Sequence, residues 1–194
     1  MLHVMYEIKK FDELLGLEGF SEKMLKNHFT LYEGYVNNVN RIAELLKTKE
    51  PGTPEYSELK RRFGWEWNGM RLHELYFENM MEGGSEFDSS SELGKKIEKI
   101  YGSFENWKKN FVEVGKMRGI GWVVLYYDAV SGELFNAWIN EHNEGHFAGC
   151  APILVMDVFE HAYMTDYEIK KVDYIEAFMK TINWKIVNSR FDSE

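Results

Sequence analysis

The 194-residue sequence is short of several things, and each shortage removes a class of protein. One cysteine, Cys150, excludes an intrachain disulfide and suits a reducing compartment. Three prolines and no low-complexity tract argue against long disordered linkers. Basic residues are scarce: 23 Lys and Arg against 32 Asp and Glu give a net charge of −9. Phosphate binding needs a concentrated basic face, so nucleic acid is not an expected partner. No apolar run could span a bilayer, and the opening MLHVMYEIKKF has none long enough for a secretion signal. No membrane partner is expected, and the cytoplasm is the expected location. Core material, by contrast, is ample: 44% of residues are hydrophobic and 15% aromatic, in a length that makes one ordinary domain or two small halves sharing a core.

The first half reads as helical. Ser21 is an N-cap with Glu22 in the first turn. Leu25, His28, Tyr32, Tyr35, Val39, Ile42 and Leu46 then recur at spacings of three and four, the stripe of a long helix in a helical hairpin. Pro51-Gly52 makes the turn, and Thr53 caps a second helix with Pro54 at its first position. Its apolar side includes Phe63, Trp67, Met70, His73, Phe77 and Met80. Gly83-Gly84 and Ser89 to Ser91 mark the boundary, giving a helical hairpin domain over 1–84 and an α/β domain over 85–194. In the second part, helices are predicted near Glu92 to Tyr101 and Phe104 to Met117. Strands follow at Trp122 to Tyr127, Leu134 to Ile139 and Pro152 to Met156, with Asn140 to Ala151 a loop and two helices finishing the chain. The fold class is α+β, with a small three-stranded antiparallel sheet.

The chain is organised around PILVMDVFEHAYMTDY, Pro152 to Tyr167. An apolar run stops at Asp157, and His161 follows four residues later. A buried strand ending in an acid and leading into an imidazole needs an ion-pair partner or a metal. The alternative is a carboxylate that caps the next helix beside a hydrogen-bonded core histidine. His28 and His73, taken singly, read equally as satisfied core residues. Together, two inward histidines on adjacent helices plus Asp157 and His161 make a set of three imidazoles and one carboxylate. Such a set suits iron, manganese or zinc, with a fifth position left for solvent.

DVFEHAYMTDY, followed by DYIEAFMKTINWKIVNSRF, resembles the C-terminal signature of the iron/manganese superoxide dismutases, D-x-W-E-H-A-Y-Y-x-x-Y and a helix ending near N-W. With gaps, the resemblance spans nearly the whole chain. It implies a helical hairpin domain joined to an α/β domain with three strands, and one iron or manganese per chain held by His28, His73, Asp157 and His161. It also implies conversion of superoxide to O2 and H2O2 by alternating reduction and oxidation of that ion. LHELYFENM, around His73, resembles the second-ligand motif, with Phe77 at its aromatic place. YVNNVN matches the segment whose tyrosine stands at the mouth of the substrate funnel, here Tyr35, and Gly121-Trp122 matches a pair whose indole walls the metal site. Glu160 and Tyr163 match residues at the subunit interface, which implies a homodimer or homotetramer. A Gln or His that supports the bound solvent comes from one of two places in this family. The helical place is Gly69, which is empty; the loop place is His142. That pairing leans towards iron. As the alternative, His142 and His146 are two exposed loop histidines. The rival functions are a zinc hydrolase using the same ligands and a metal-binding relative that serves as a structural subunit.

The chain departs from the family pattern in places. Phe159 replaces the usual tryptophan, Lys171 stands where an arginine is usual near the funnel, and Tyr32 stands where the first helix usually has a second histidine. The sharpest departure concerns the first ligand. The family places it eight residues before the funnel tyrosine, which on a helix calls for a one-residue π-bulge to bring both to one face. Here eight residues before Tyr35 is Asn27, and seven before is His28. The apolar stripe points to His28, so the expectation is a lost residue, a lost bulge and a regular helix from Ser21 to about Leu46.

Overall fold

The computed structural model describes residues 5–194; the first four residues of the MLHVMYEIKKF stretch lie outside the described residues. Helix α1 runs Glu22–Thr48 and α2 runs Pro54–Glu78, packed side by side as a hairpin. Both begin as their sequences dictate. The Ser21 hydroxyl accepts from the Met24 amide and the Thr53 hydroxyl from the Tyr56 amide, with Pro54 in the first turn where its missing N–H is harmless. Helix α1 is α-helical throughout, with no π-type turn between His28 and Tyr35. Seven residues at about 100° each return the chain to within about 20° of its starting face. His28, Tyr32 and Tyr35 are accordingly all buried, while Asn27 is exposed.

Helices α3 (Glu92–Tyr101) and α4 (Phe104–Lys116) lead into the sheet, capped by the hydroxyls of Ser91 and Ser103. Strands β1 (Trp122–Asp128), β2 (Glu133–Ile139) and β3 (Ala151–Asp157) are antiparallel in the order β2-β1-β3. In that register Trp122 lies opposite Asp157, which brings the indole to the end of the strand carrying the acid. Gly121, just before, has φ +119°, and a Cβ there would collide with the Ile139 carbonyl oxygen. Only glycine fits, and its own carbonyl accepts from the Val158 amide beyond Asp157.

The chain does not pass from β3 straight into two helices. A 3₁₀ turn, Glu160–Ala162, and one short helical turn, α5 (Met164–Tyr167), come first. The tight turn lets His161, four residues beyond Asp157, fold back towards its carboxylate. Helices α6 (Lys171–Thr181) and α7 (Trp184–Asp192) then close the structure. Among the described residues, no helix is long and apolar enough to cross a membrane.

Candidate metal centre

Four side chains from four segments converge at the junction of hairpin and sheet: His28 of α1, His73 of α2, Asp157 at the end of β3, and His161 of the 3₁₀ turn. One ligand atom from each lies within 4.8 Å of all the others. The focus is Asp157 Oδ2, with the Nε2 atoms of His161, His28 and His73 at 3.0, 3.2 and 3.7 Å. Its other oxygen, Oδ1, accepts from the Phe159 amide at 2.8 Å. Asp157 thus spends one oxygen on the local turn and turns the other towards the three imidazoles. The strand end is also pinned from below, where the Tyr174 hydroxyl donates to the Asp157 carbonyl at 2.7 Å.

The protonation pattern shows what the pocket fits. His73 Nδ1 lies 2.6 Å from the Gly69 carbonyl oxygen, which only accepts, so Nδ1 carries the ring proton. Burial holds the His73 pKa well below its usual value, so the ring is neutral and Nε2 is a bare lone pair. That nitrogen is buried without a hydrogen-bond partner and faces a carboxylate oxygen. Two lone-pair atoms facing each other at 3.7 Å in a buried pocket suit an intervening cation. His28 is shifted down as well, by burial against the pull of Asp157. Burial resists ionisation of Asp157, yet the imidazoles of His161 and His28 hold its carboxyl far below the ordinary range. A neutral His73 imidazole and an ionised Asp157 carboxylate are protonation states that suit a divalent or trivalent metal.

Beside this cluster, Tyr35 and His142 form a second unit. His142 is wholly buried, unlike His146, which is exposed, donates from Nε2 to the His142 carbonyl and is bonded at Nδ1 to the Tyr126 hydroxyl. The Trp122 indole donates to His142 Nδ1 at 3.1 Å. An indole N–H only donates, so Nδ1 is an acceptor. Burial lowers the His142 pKa to about 4, leaving the ring neutral with its one proton on Nε2. That proton donates to the Tyr35 hydroxyl oxygen at 2.8 Å. The Tyr35 hydrogen is then free to point elsewhere, and burial pushes its pKa up, so the phenol stays protonated at neutral pH. Gly69 explains why the helical place is empty. A Cβ there would meet the Tyr35 ring at 2.7 and 2.9 Å, so the tyrosine occupies the space a longer side chain would need.

Tyr32 is turned inward, donating to Glu74 at 3.0 Å and accepting from the Lys9 amide at 3.1 Å. Lys171 reaches the Met117 carbonyl at 2.6 Å. Sequence reading missed Trp65, whose ring packs against both His142 and Tyr35. A signal existed, because Trp65, Gly69 and His73 recur every four residues on one helical face. It missed Tyr174 too, and nothing in the pattern of α6 singles out a hydroxyl that reaches a strand carbonyl.

Residues 89–190 match the model of the iron/manganese superoxide dismutase C-terminal domain. The chain is 37% identical over 186 residues to an iron superoxide dismutase of Aquifex pyrophilus, covering 91% of this chain and 86% of that protein. It is 38% identical over 160 residues to an iron superoxide dismutase of Saccharolobus solfataricus, covering 79% and 76%. A manganese superoxide dismutase of Haloferax volcanii is 35% identical over 176 residues, covering 89% and 87%.

Proposed function

The chain belongs to the iron/manganese superoxide dismutase family, and from that membership we propose that it dismutes superoxide at one ion held by His28, His73, Asp157 and His161. Iron is favoured by the Gly69 and His142 pairing, with manganese as the alternative; relatives named for either metal are similar to this chain. The observation that carries the reading is the unpartnered His73 Nε2 opposed to Asp157 Oδ2, a donor set that calls for a cation. Bound there, the ion supplies the one-electron change: one superoxide loses an electron and leaves as O2, and a second gains that electron and two protons to become H2O2.

The chain's own residues do the rest. Gly69 and the Phe159 amide orient His73 and Asp157, which is how supporting contacts tune a ligand. Tyr35 holds a proton at its hydroxyl beside the pocket, and His142 fixes the direction of that proton by donating to the same oxygen. Trp122 keeps His142 in the tautomer that can do so. Two copies pair through the region of Glu160 and Tyr163. Supporting this, Met164, Ile169 and Val172 beside it are 45%, 88% and 41% exposed, an apolar surface that a partner would cover. The single cysteine suits a reducing cytoplasm.

Metal analysis of the purified protein, combined with a superoxide-decay assay, tests the reading. Close to one iron or manganese per chain is expected, with decay far faster than the spontaneous reaction. Full metal occupancy with no acceleration of decay would leave a metal-binding relative without this activity.

A further inference from the structure

His142 is completely buried although the loop beyond it, 143–149, is exposed throughout. A side chain in such a loop is buried only by something packed on it from elsewhere. Trp65 of α2 supplies much of that cover. Its ring stands at a steep angle to the imidazole with centroids 4.5 Å apart, and lies 5.5 Å from the Tyr35 ring.

Trp65 is gripped from two directions. The Arg62 guanidinium lies 3.8 Å above the indole ring, a cation–π distance. Arg62 is tied through Nε to Glu66 Oε1 at 2.9 Å, and Glu66, itself buried, also accepts from Asn38. From the other side, the Trp65 N–H donates to Glu141 Oε2 at 3.2 Å. Glu141 immediately precedes His142 and has φ 53°, in the left-handed region. Glycine or asparagine takes that backbone more readily than glutamate. What the glutamate adds is an acceptor for the indole, and backbone strain beside a functional group is where a positioning role is expected.

We propose that Glu141 and Arg62 are positioning residues that clamp Trp65 over His142, so that the imidazole stays on the Tyr35 hydroxyl instead of moving with its loop. This rests on the role given to His142 above. The clamp also surrounds Tyr35 with charge. Asp157, Glu66, Arg62 and Glu141 all act on its hydroxyl, and only Arg62 offsets the three carboxylates.

The test uses the iron-loaded full-length protein and two readouts besides activity: the dissociation constant of azide, a small anion that serves as a superoxide stand-in, and the iron midpoint potential. Glu141→Gly relieves the backbone, so it should fold and melt no lower than the parent. The clamp predicts that it nevertheless weakens azide binding about tenfold, the low end of the usual effect of outer groups, and shifts the midpoint in the same direction as His142→Ala. Arg62→Leu should do the same, and Glu141→Gln, which keeps the acceptor, should leave both readouts near parent values. If Glu141→Gly and Arg62→Leu leave both at parent values while His142→Ala moves them, the clamp is wrong and the His142 role stands. If His142→Ala moves neither, both fall. A Glu141→Gln variant that moves both readouts as far as Glu141→Gly would assign the effect to charge and also overturn the clamp.

Discussion

The ligand pocket and the loop beside it use histidine in opposite ways. In the pocket, imidazoles on rigid elements are left with bonding capacity unspent: His73 has a bare buried nitrogen, and three rings crowd one carboxylate oxygen. On the loop, His142 has both ring nitrogens matched by Trp122 and Tyr35, and its carbonyl is bonded by His146. A ring available to an ion keeps a lone pair in reserve. A ring that must hold a proton in one place keeps none. The pocket thus has a donor atom left over, whereas the loop unit is complete as protein alone.

The largest expected effect breaks the pocket side of this contrast. His28→Ala should lose the ion, and Asn27→Ala should keep it, since Asn27 is exposed and His28 buried. Loss of an ion present at about a thousand times its dissociation constant removes about 4 kcal/mol of folding stability. Metal content and melting temperature of the two variants decide it; retention by His28→Ala would put the first ligand elsewhere.

Next in size is the pH dependence of the loop unit. His142 titrates near 4 when folded, against 6.5 for an ordinary histidine, because burial disfavours its cation, with Asp157 opposing and His161 and Arg62 reinforcing. A lowered histidine pKa means the unfolded chain binds the proton more readily. The contribution is therefore fully present above pH 6.5 and is lost as pH falls to about 4, amounting to about 3 kcal/mol. His142→Gln, which cannot titrate, should flatten urea-derived stability across that window. An unchanged slope would move the titration to the pocket.

Smaller is the effect of forcing the two regions together. Gly69→Gln places a Cβ about where the Tyr35 ring lies, so Tyr35 must leave His142. Overpacking of this kind costs about 1–3 kcal/mol. The double variant with His142→Ala should not recover activity, because the tyrosine is already displaced. Recovery would show that the helical place remains usable. Least of all is Lys171→Glu. With a net charge of −9, long-range steering repels superoxide, and Lys171 is a local cation tied to the Met117 carbonyl. A modest slowing at low ionic strength is expected, shrinking as salt rises, and equal rates at low salt would remove Lys171 from substrate delivery.

The elements and their inward faces are legible in the residue pattern alone. The three-and-four spacing from Leu25 to Leu46 made His28, Tyr32 and Tyr35 one face of α1, because burial of a helical stripe is collective and each apolar residue votes for the same side. The β-rich runs of the second half and the abrupt end of one of them at Asp157 fixed the sheet and its functional edge in the same way. What has no period depends on how the packed elements meet. Residues 140–150 carry no repeating pattern, so nothing local distinguishes buried His142 from exposed His146. The difference comes from Trp65 and Tyr35, which are 77 and 107 residues away along the chain and meet His142 only after the hairpin packs against the sheet. Tyr32 turned to Glu74 for the same reason: a hydroxyl on a buried stripe takes the acceptor that its neighbouring helix offers, and which acceptor that is depends on how two helices meet.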